Sequence, residues 1–219
     1  MSCFLIVAVV WVFSVCLHEY GHAKVAYHGG DTTVEEKGYL SMNPVHYAHP
    51  VMSFVLPMVF MMLGGIGLPG GAVYINRQLL RSANWETAVA LAGPAMNLIL
   101  VVIIAAALRF YLIPHYPEHV GTYALAFALQ LEISAILFNL IPIPPLDGFH
   151  AIEPWLSEEL RQRILPLAKY GMVILFVAFW YLEPVNQLFW ECIWTLCRLL
   201  GVDPGLGIEG FRAFRFWQQ

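Results

Sequence analysis

The sequence predicts an α-helical polytopic membrane protein, and three observations carry that reading. Only 12% of the 219 residues are charged, against 59% hydrophobic, whereas soluble domains average about 25% charged. Mean hydropathy is +0.67. The charges also fall between long apolar stretches, several of which approach the ~20 residues that a helix needs to cross a hydrocarbon core.

The elements follow in chain order. Residues 1–17 carry no charge, and helical character is expected to continue to Tyr27. Residues 28–50 hold Gly29, Gly30, Asp31, Gly38, Asn43, Pro44 and Pro50, and predict a loop or short strands. Residues 51–68 are apolar but contain Pro57 and end in Gly64, Gly65 and Gly67, with Pro69, Gly70 and Gly71 after them. Ala72 to Ile75 reads as a short strand. Spans are expected over 87–108, 121–141 and 164–182, with a weaker one over 184–200 that contains Glu191. A charged stretch, 153–163, separates the second and third of these. In the tail, Arg212 and Arg215 stand among Phe211, Phe214, Phe216 and Trp217. That mixture suits an interfacial segment, since aromatic rings settle at headgroup level while arginines stay wet.

Composition also excludes. Net charge is −4, and no basic tract interleaved with aromatics is present, so nucleic acid is not an expected partner. Cys3, Cys16, Cys192 and Cys197 form no C-x-x-C pair and read as small hydrophobes. The first apolar run lacks a basic n-region and a small-residue cleavage site, so it reads as a retained helix. No repeat or low-complexity linker divides the chain, so one domain over 1–219 is expected, with a core of about 3–150 and further helices and a tail over 151–219.

The chemistry concentrates at His18-Glu19-Tyr20-Gly21-His22. Residues i and i+4 share a helix face, so both imidazoles can reach one Zn²⁺. Glu19, beside the first of them, is placed to take a proton from water at that metal. These ionisable groups end an uncharged run, where burial in a membrane is costly without a function. A catalytic zinc needs a third protein ligand and one open position. His28 has the spacing of H-E-x-x-H-x-x-G-x-x-H, but Val25 occupies the turning glycine's position and a continuing helix would carry His28 off the zinc face. Glu35 and Glu36 sit in a polar loop where solvated charge is the ordinary role. Asp147 follows an apolar stretch, is held by Pro144 and Pro145, and precedes Gly148. Paired with HEYGH, it is the best third ligand.

HEYGH, together with Asn139-x-x-Pro142-x-x-Pro145-Leu146-Asp147-Gly148, resembles the site-2 protease family of intramembrane zinc metalloproteases (peptidase family M50). Gly93-Pro-Ala-Met-Asn97 resembles the family's G-x-x-x-N element, and Gly38-Tyr-Leu-Ser-Met-Asn43-Pro44 its G-x-L-x-x-N-P stretch. His49 departs from the aspartate common in the fuller stretch. With no PDZ insertion, the chain resembles the minimal form. The resemblance implies His18, His22 and Asp147 as ligands of one zinc per chain, Glu19 as catalytic base, and Asn139 as a substrate or oxyanion contact. The expected architecture is a three-helix catalytic core with additional helices, a re-entrant element and short β-strands near the active site. The expected substrate is a transmembrane protein, cleaved within the bilayer of a prokaryotic cell membrane; a homo-oligomer is compatible with the sequence.

Topology adds a constraint. For His18 and Asp147 to meet at one depth, the helices they terminate must run parallel, so an odd number of crossings separates them. Two apolar segments lie between, and 51–68 is the one expected to dip in and return. With five crossings, ten of the eleven Lys and Arg residues then share one side, only Arg109 lying opposite, which puts the zinc nearer the cytoplasm.

Other polar residues have less specific readings. Glu132 and Asn139, seven apart, share a helix face. Asn139 offers two donors and an acceptor for a substrate amide. Gly93 with Asn97 reads equally as substrate contact or as a close-packing face. Val73 to Asn76 is a candidate strand edge for an extended substrate. Two rival functions remain: a non-proteolytic helix-binding pseudoprotease with structural zinc, which an intact Glu19 disfavours, and a transporter using His18, Glu19 and Asp147, which the lack of an internal repeat disfavours.

Overall fold

The computed structural model describes residues 1–43 and 73–218. The re-entrant element expected over 51–68 lies outside them, as do Pro44, His49 and Ala72.

Helix α1 runs from Ser2 to Gly29. Nothing in its uncharged run breaks a helix, so it continues without interruption through HEYGH. It stops at Gly30, whose φ of 123° is open to glycine, and the Gly30 and Asp31 N–H groups turn back to the Tyr27 and Ala26 carbonyls. One short turn, α2 (Thr33–Glu36), follows. Helix α3 (Ala83–Ala107) continues through a π-helical turn, Leu108–Leu112, to His115. Then come α4 (Val120–Asn139), α5 (Asp147–Ile152), α6 (Glu158–Ile164), α7 (Ala168–Tyr181), α8 (Glu183–Leu199) and α9 (Pro204–Phe214).

Among the described residues four helical stretches are long and apolar enough to cross a membrane: Ser2–Gly29, Ala83–His115, Val120–Asn139 and Glu158–Tyr181. The expected fifth span does not join them. Helix α8 has 17 residues, carries Glu183, Glu191 and Arg198, and buries a single stripe of Phe189, Ile193 and Cys197 four residues apart. That is an amphipathic helix.

Helices α1 and α3 run antiparallel. Gly29 stands against Trp85, and eight residues earlier Gly21 stands against Ala92 and Met96. Helices α1 and α4 run parallel, as a shared metal requires. Ser14 Oγ donates to Glu132 Oε2 at 2.5 Å, while further along α1 and just past the end of α4 His18 and His22 meet Asp147. Between α1 and α4, among the described residues, α3 is the crossing helix.

In the tail, α9 packs on α1 and α4. Phe214 is fully buried, its ring 5.1 Å from Phe4 and 5.4 Å from Phe127. Cys3 Sγ donates to the Gly210 carbonyl. This places Arg212 and Arg215 at the end of α1 away from the histidines, and Arg109 lies over Gly201 at that same end, close to Arg198. The cations therefore divide seven (Lys24, Lys37, Arg77, Arg81, Arg161, Arg163, Lys169) to four (Arg109, Arg198, Arg212, Arg215), not ten to one. The apolar faces of Phe211 and Phe214 suit a lipid interface and a protein groove equally, and here the groove takes them.

The short strand expected up to Ile75 is also absent, since no strand occurs among the described residues. Val73 to Asn76 are held by side chains instead. Glu19 accepts from Val73 N–H at 3.0 Å, Asp31 from Asn76 N–H at 2.7 Å, and Lys37 donates to the Tyr74 carbonyl at 3.0 Å.

Candidate metal centre

Three side chains converge where α1, α3 and α5 meet. His18 and His22 lie one turn apart on α1, and Asp147 opens α5. Their ligand atoms all fall within 4.8 Å of one another. His18 Nε2 is 3.0 Å from His22 Nε2 and 3.2 Å from Asp147 Oδ2, and His22 Nε2 is 3.5 Å from Asp147 Oδ1. A tetrahedral Zn²⁺ with ligands at about 2.0–2.1 Å separates neighbouring ligand atoms by about 3.3 Å. The three separations bracket that value, so the residues present fit the metal.

The surroundings hold these groups in place. His22 Nδ1 lies 2.7 Å from the Val89 carbonyl on α3. A proton on that nitrogen leaves the Nε2 lone pair facing the cluster, the usual role of a ligand's outer partner. A Cβ on Gly93 would fall on His22 Nε2 and His18 Nε2 together. The glycine thus opens the space in which the two imidazoles meet. Gly148 has the same function behind Asp147: a Cβ there would strike the Leu140 carbonyl, so α5 can fold tightly back beneath the end of α4.

Burial sets the electrostatics. His18, Glu19 and His22 are 7%, 4% and 6% exposed. Asp147 Oδ2 and His18 Nδ1 are buried without a well-formed hydrogen bond, and a carboxylate that turns one oxygen to each of two imidazoles makes a donor set that a cation satisfies. Glu19 projects beside the cluster with Oε2 engaged by Val73 N–H.

The other expected residues are placed as follows. Asn139 is buried at the last residue of α4, and Asn97 is buried one turn beyond Gly93 with its Oδ1 unpartnered. His28, Glu35 and Glu36 are exposed and stand outside the cluster. Glu132 is bonded to Ser14, a pairing that its apolar sequence context does not signal.

Sequence reasoning missed the polar ties around α5. Arg77 Nη1 donates to Glu153 Oε2 at 2.5 Å and Arg77 Nη2 to His150 Nδ1 at 2.6 Å. Thr87 Oγ1 donates to the Ala151 carbonyl and accepts from Trp155 Nε1. Burial raises the Glu153 carboxyl, but Arg77 and His150 outweigh it and hold the group below its ordinary value. A lone arginine in a polar stretch gives no sign of these partners.

No family model matches the chain, and no solved structure does. Curated relatives do. The chain is 42% identical over 216 residues to a protein of Mycobacterium tuberculosis (strain H37Rv) named "Putative zinc metalloprotease Rip2", the match covering 98% of this chain and 81% of that one. A protein of the same name in Mycolicibacterium smegmatis is 39% identical over 214 residues, with the same coverage. A Bacillus subtilis protein named "Putative zinc metalloprotease YwhC" is 29% identical over 179 residues, 77% of each chain. With apolar helices long enough to span a bilayer and a histidine–histidine–aspartate cluster at their meeting point, the chain is a membrane protein that belongs to the site-2 protease family.

Proposed function

We propose that the chain is an intramembrane zinc endopeptidase that hydrolyses peptide bonds within or beside transmembrane segments of other membrane proteins, as in regulated intramembrane proteolysis. The observation that carries this reading is the cluster itself: ligand atoms from two buried histidines and the half-buried Asp147 at tetrahedral spacing, with a carboxylate beside them, at the end of membrane-length helices. His18, His22 and Asp147 hold the metal. Bound there, zinc supplies a Lewis acid that polarises the scissile carbonyl and acidifies water.

The protein's own residues do the rest. Glu19, oriented by Val73 N–H at one oxygen, takes the proton of the attacking water at the other and passes it to the leaving amine. Asn139 and Asn97, both buried, hold the substrate amide or the developing oxyanion. The apolar walls of α1, α3 and α4 keep bulk water from the site, and a substrate helix must unwind locally to present its backbone. The chain crosses the membrane several times in a prokaryotic cell membrane, with the metal nearer the cytoplasm; the seven-to-four division of Lys and Arg toward the ligand end supports that orientation.

The test compares wild type with Glu19→Gln on a transmembrane substrate. Loss of a single general base lowers the rate by about 10²–10⁴-fold while one zinc per chain is retained. Equal cleavage by the two forms would overturn the assignment. Full zinc in the wild type with no turnover on any membrane peptide would favour a non-proteolytic helix-binding protein with structural zinc.

A further inference from the structure

Residues 73–77 have no strand partner among the described residues, yet Val73, Tyr74 and Asn76 are each tied down through a backbone group. Val73 N–H reaches Glu19 Oε2. The Tyr74 carbonyl accepts from Lys37 Nζ. Asn76 N–H reaches Asp31 Oδ2, while Asp31 Oδ1 accepts from Thr33 N–H at 3.1 Å and Thr33 Oγ1 at 2.6 Å. Arg77 then closes on α5 through Glu153 and His150.

Two of these anchors are unusual. Asp31 is fully buried, and its carboxylate accepts from the Thr33 N–H, the Thr33 hydroxyl and the Asn76 N–H, with no cation among these donors. Such a carboxylate persists only when its lone pairs are filled by well-placed donors. It sits two residues past Gly29, where α1 ends, so it fixes the segment to the same helix that carries Glu19. Arg77 uses both guanidinium nitrogens in a fork that lysine cannot reproduce, and its partners are three and six residues past Asp147.

We infer that Asp31 and Arg77 are positioning residues: they hold residues 73–77 as a strap that aims the Glu19 carboxylate and sets its distance from the Asp147 helix. The inference rests on Glu19 acting as the base. One end of the strap is referenced to α1 and the other to α5, so the strap measures the gap between base and third ligand. Near-attack geometry is sensitive to displacements of about 1 Å, and a carboxylate on a free rotor would lose it.

The experiment uses the full chain in detergent and three variants, Asp31→Asn, Arg77→Met and Lys37→Met. Hydrogen–deuterium exchange of a peptide covering 73–77 reads the strap without any need for activity. Exchange there rises at least about tenfold in Asp31→Asn and Arg77→Met, and by a smaller factor in Lys37→Met, whose side chain is exposed and whose loss leaves folding intact. Bound zinc stays at the wild-type level, and kcat on a membrane substrate falls about tenfold with KM within twofold. Arg77→Lys restores part of the rate. Unchanged exchange in Arg77→Met and Lys37→Met overturns the strap, and a rate loss that tracks zinc loss overturns the positioning role. A wild type that binds zinc and cleaves nothing refutes the base assignment for Glu19, while exchange still decides whether the strap is held by Asp31 and Arg77.

Discussion

The two ends of the helix bundle are built from different materials. At one end Phe214 stacks on Phe4, packs at a tilt on Phe127 and meets Trp217 edge-on, and α9 reaches α4 through Gly210, where a Cβ would strike the Tyr123 carbonyl. At the other, Gly21 and Gly93 let α1 and α3 approach until imidazoles meet, and polar ties from Arg77, Thr87 and Asp31 replace aromatic packing. Both ends use a glycine contact, but to different purpose. At Gly210 a helix is seated against a helix, whereas at Gly93 the missing Cβ leaves room for the two imidazoles. Close approach drives association in membranes, where apolar burial gains little over lipid contact, and the same device serves packing at one end and chemistry at the other.

Paired substitutions separate these uses. Gly93→Ala puts a methyl on both Nε2 atoms and is expected to weaken zinc binding by more than about 100-fold (about 2.7 kcal/mol), with helix content retained. Gly210→Ala at the far end should leave zinc affinity within twofold while lowering thermal stability. Zinc competition with a chromophoric chelator, read beside thermal melts, measures both. If Gly210→Ala impaired zinc as strongly as Gly93→Ala, the two ends would be one mechanical unit and the contrast would fail. Phe214→Ala comes next. It removes the centre of the aromatic stack, and buried Phe→Ala changes cost about 3 kcal/mol. Detergent melts should show that loss with cleavage rate per folded molecule unchanged.

The smallest expected effect is electrostatic. Glu153 has its folded pKa depressed from an ordinary value of 4.5 by Arg77 and His150. A depressed carboxyl contributes stability that is present in full above the ordinary value and is lost as pH falls through the lower folded one. Glu153→Gln should therefore lower stability at pH 7 by less than about 1 kcal/mol, since Arg77 is partly exposed, and match wild type in acid below the folded value. A penalty that persisted there would assign the effect to packing.

Much of the candidate site was legible because it is local. HEYGH sets two imidazoles one turn apart on any helix, so His18 and His22 needed only that α1 continue past Leu17, which its residues favour. Asp147 was legible by elimination, since His28 faces away and Glu35 and Glu36 stay in solvent. The parallel course of α1 and α4 followed from the shared metal. The fifth span and the strand up to Ile75 were misread for a common reason. Each is a segment whose backbone or apolar face accepts more than one partner. Lipid, a neighbouring helix or a side-chain donor satisfies it equally, and sequence does not say which is near.

By itself, then, the sequence determined the helices, the i, i+4 histidines, the adjacent glutamate and the need for a carboxylate arriving from a parallel helix, all consequences of helical period and of the cost of charge in an apolar run. Tertiary structure alone decided that α9 fills the groove between α1 and α4, that Asp31 and Arg77 fasten residues 73–77 to both halves of the site, and that Gly93 keeps the space between the histidines. Those outcomes depend on distances between residues far apart in the chain. In a membrane protein, whose lipid-facing and protein-facing surfaces are alike apolar, no periodicity in the sequence marks them.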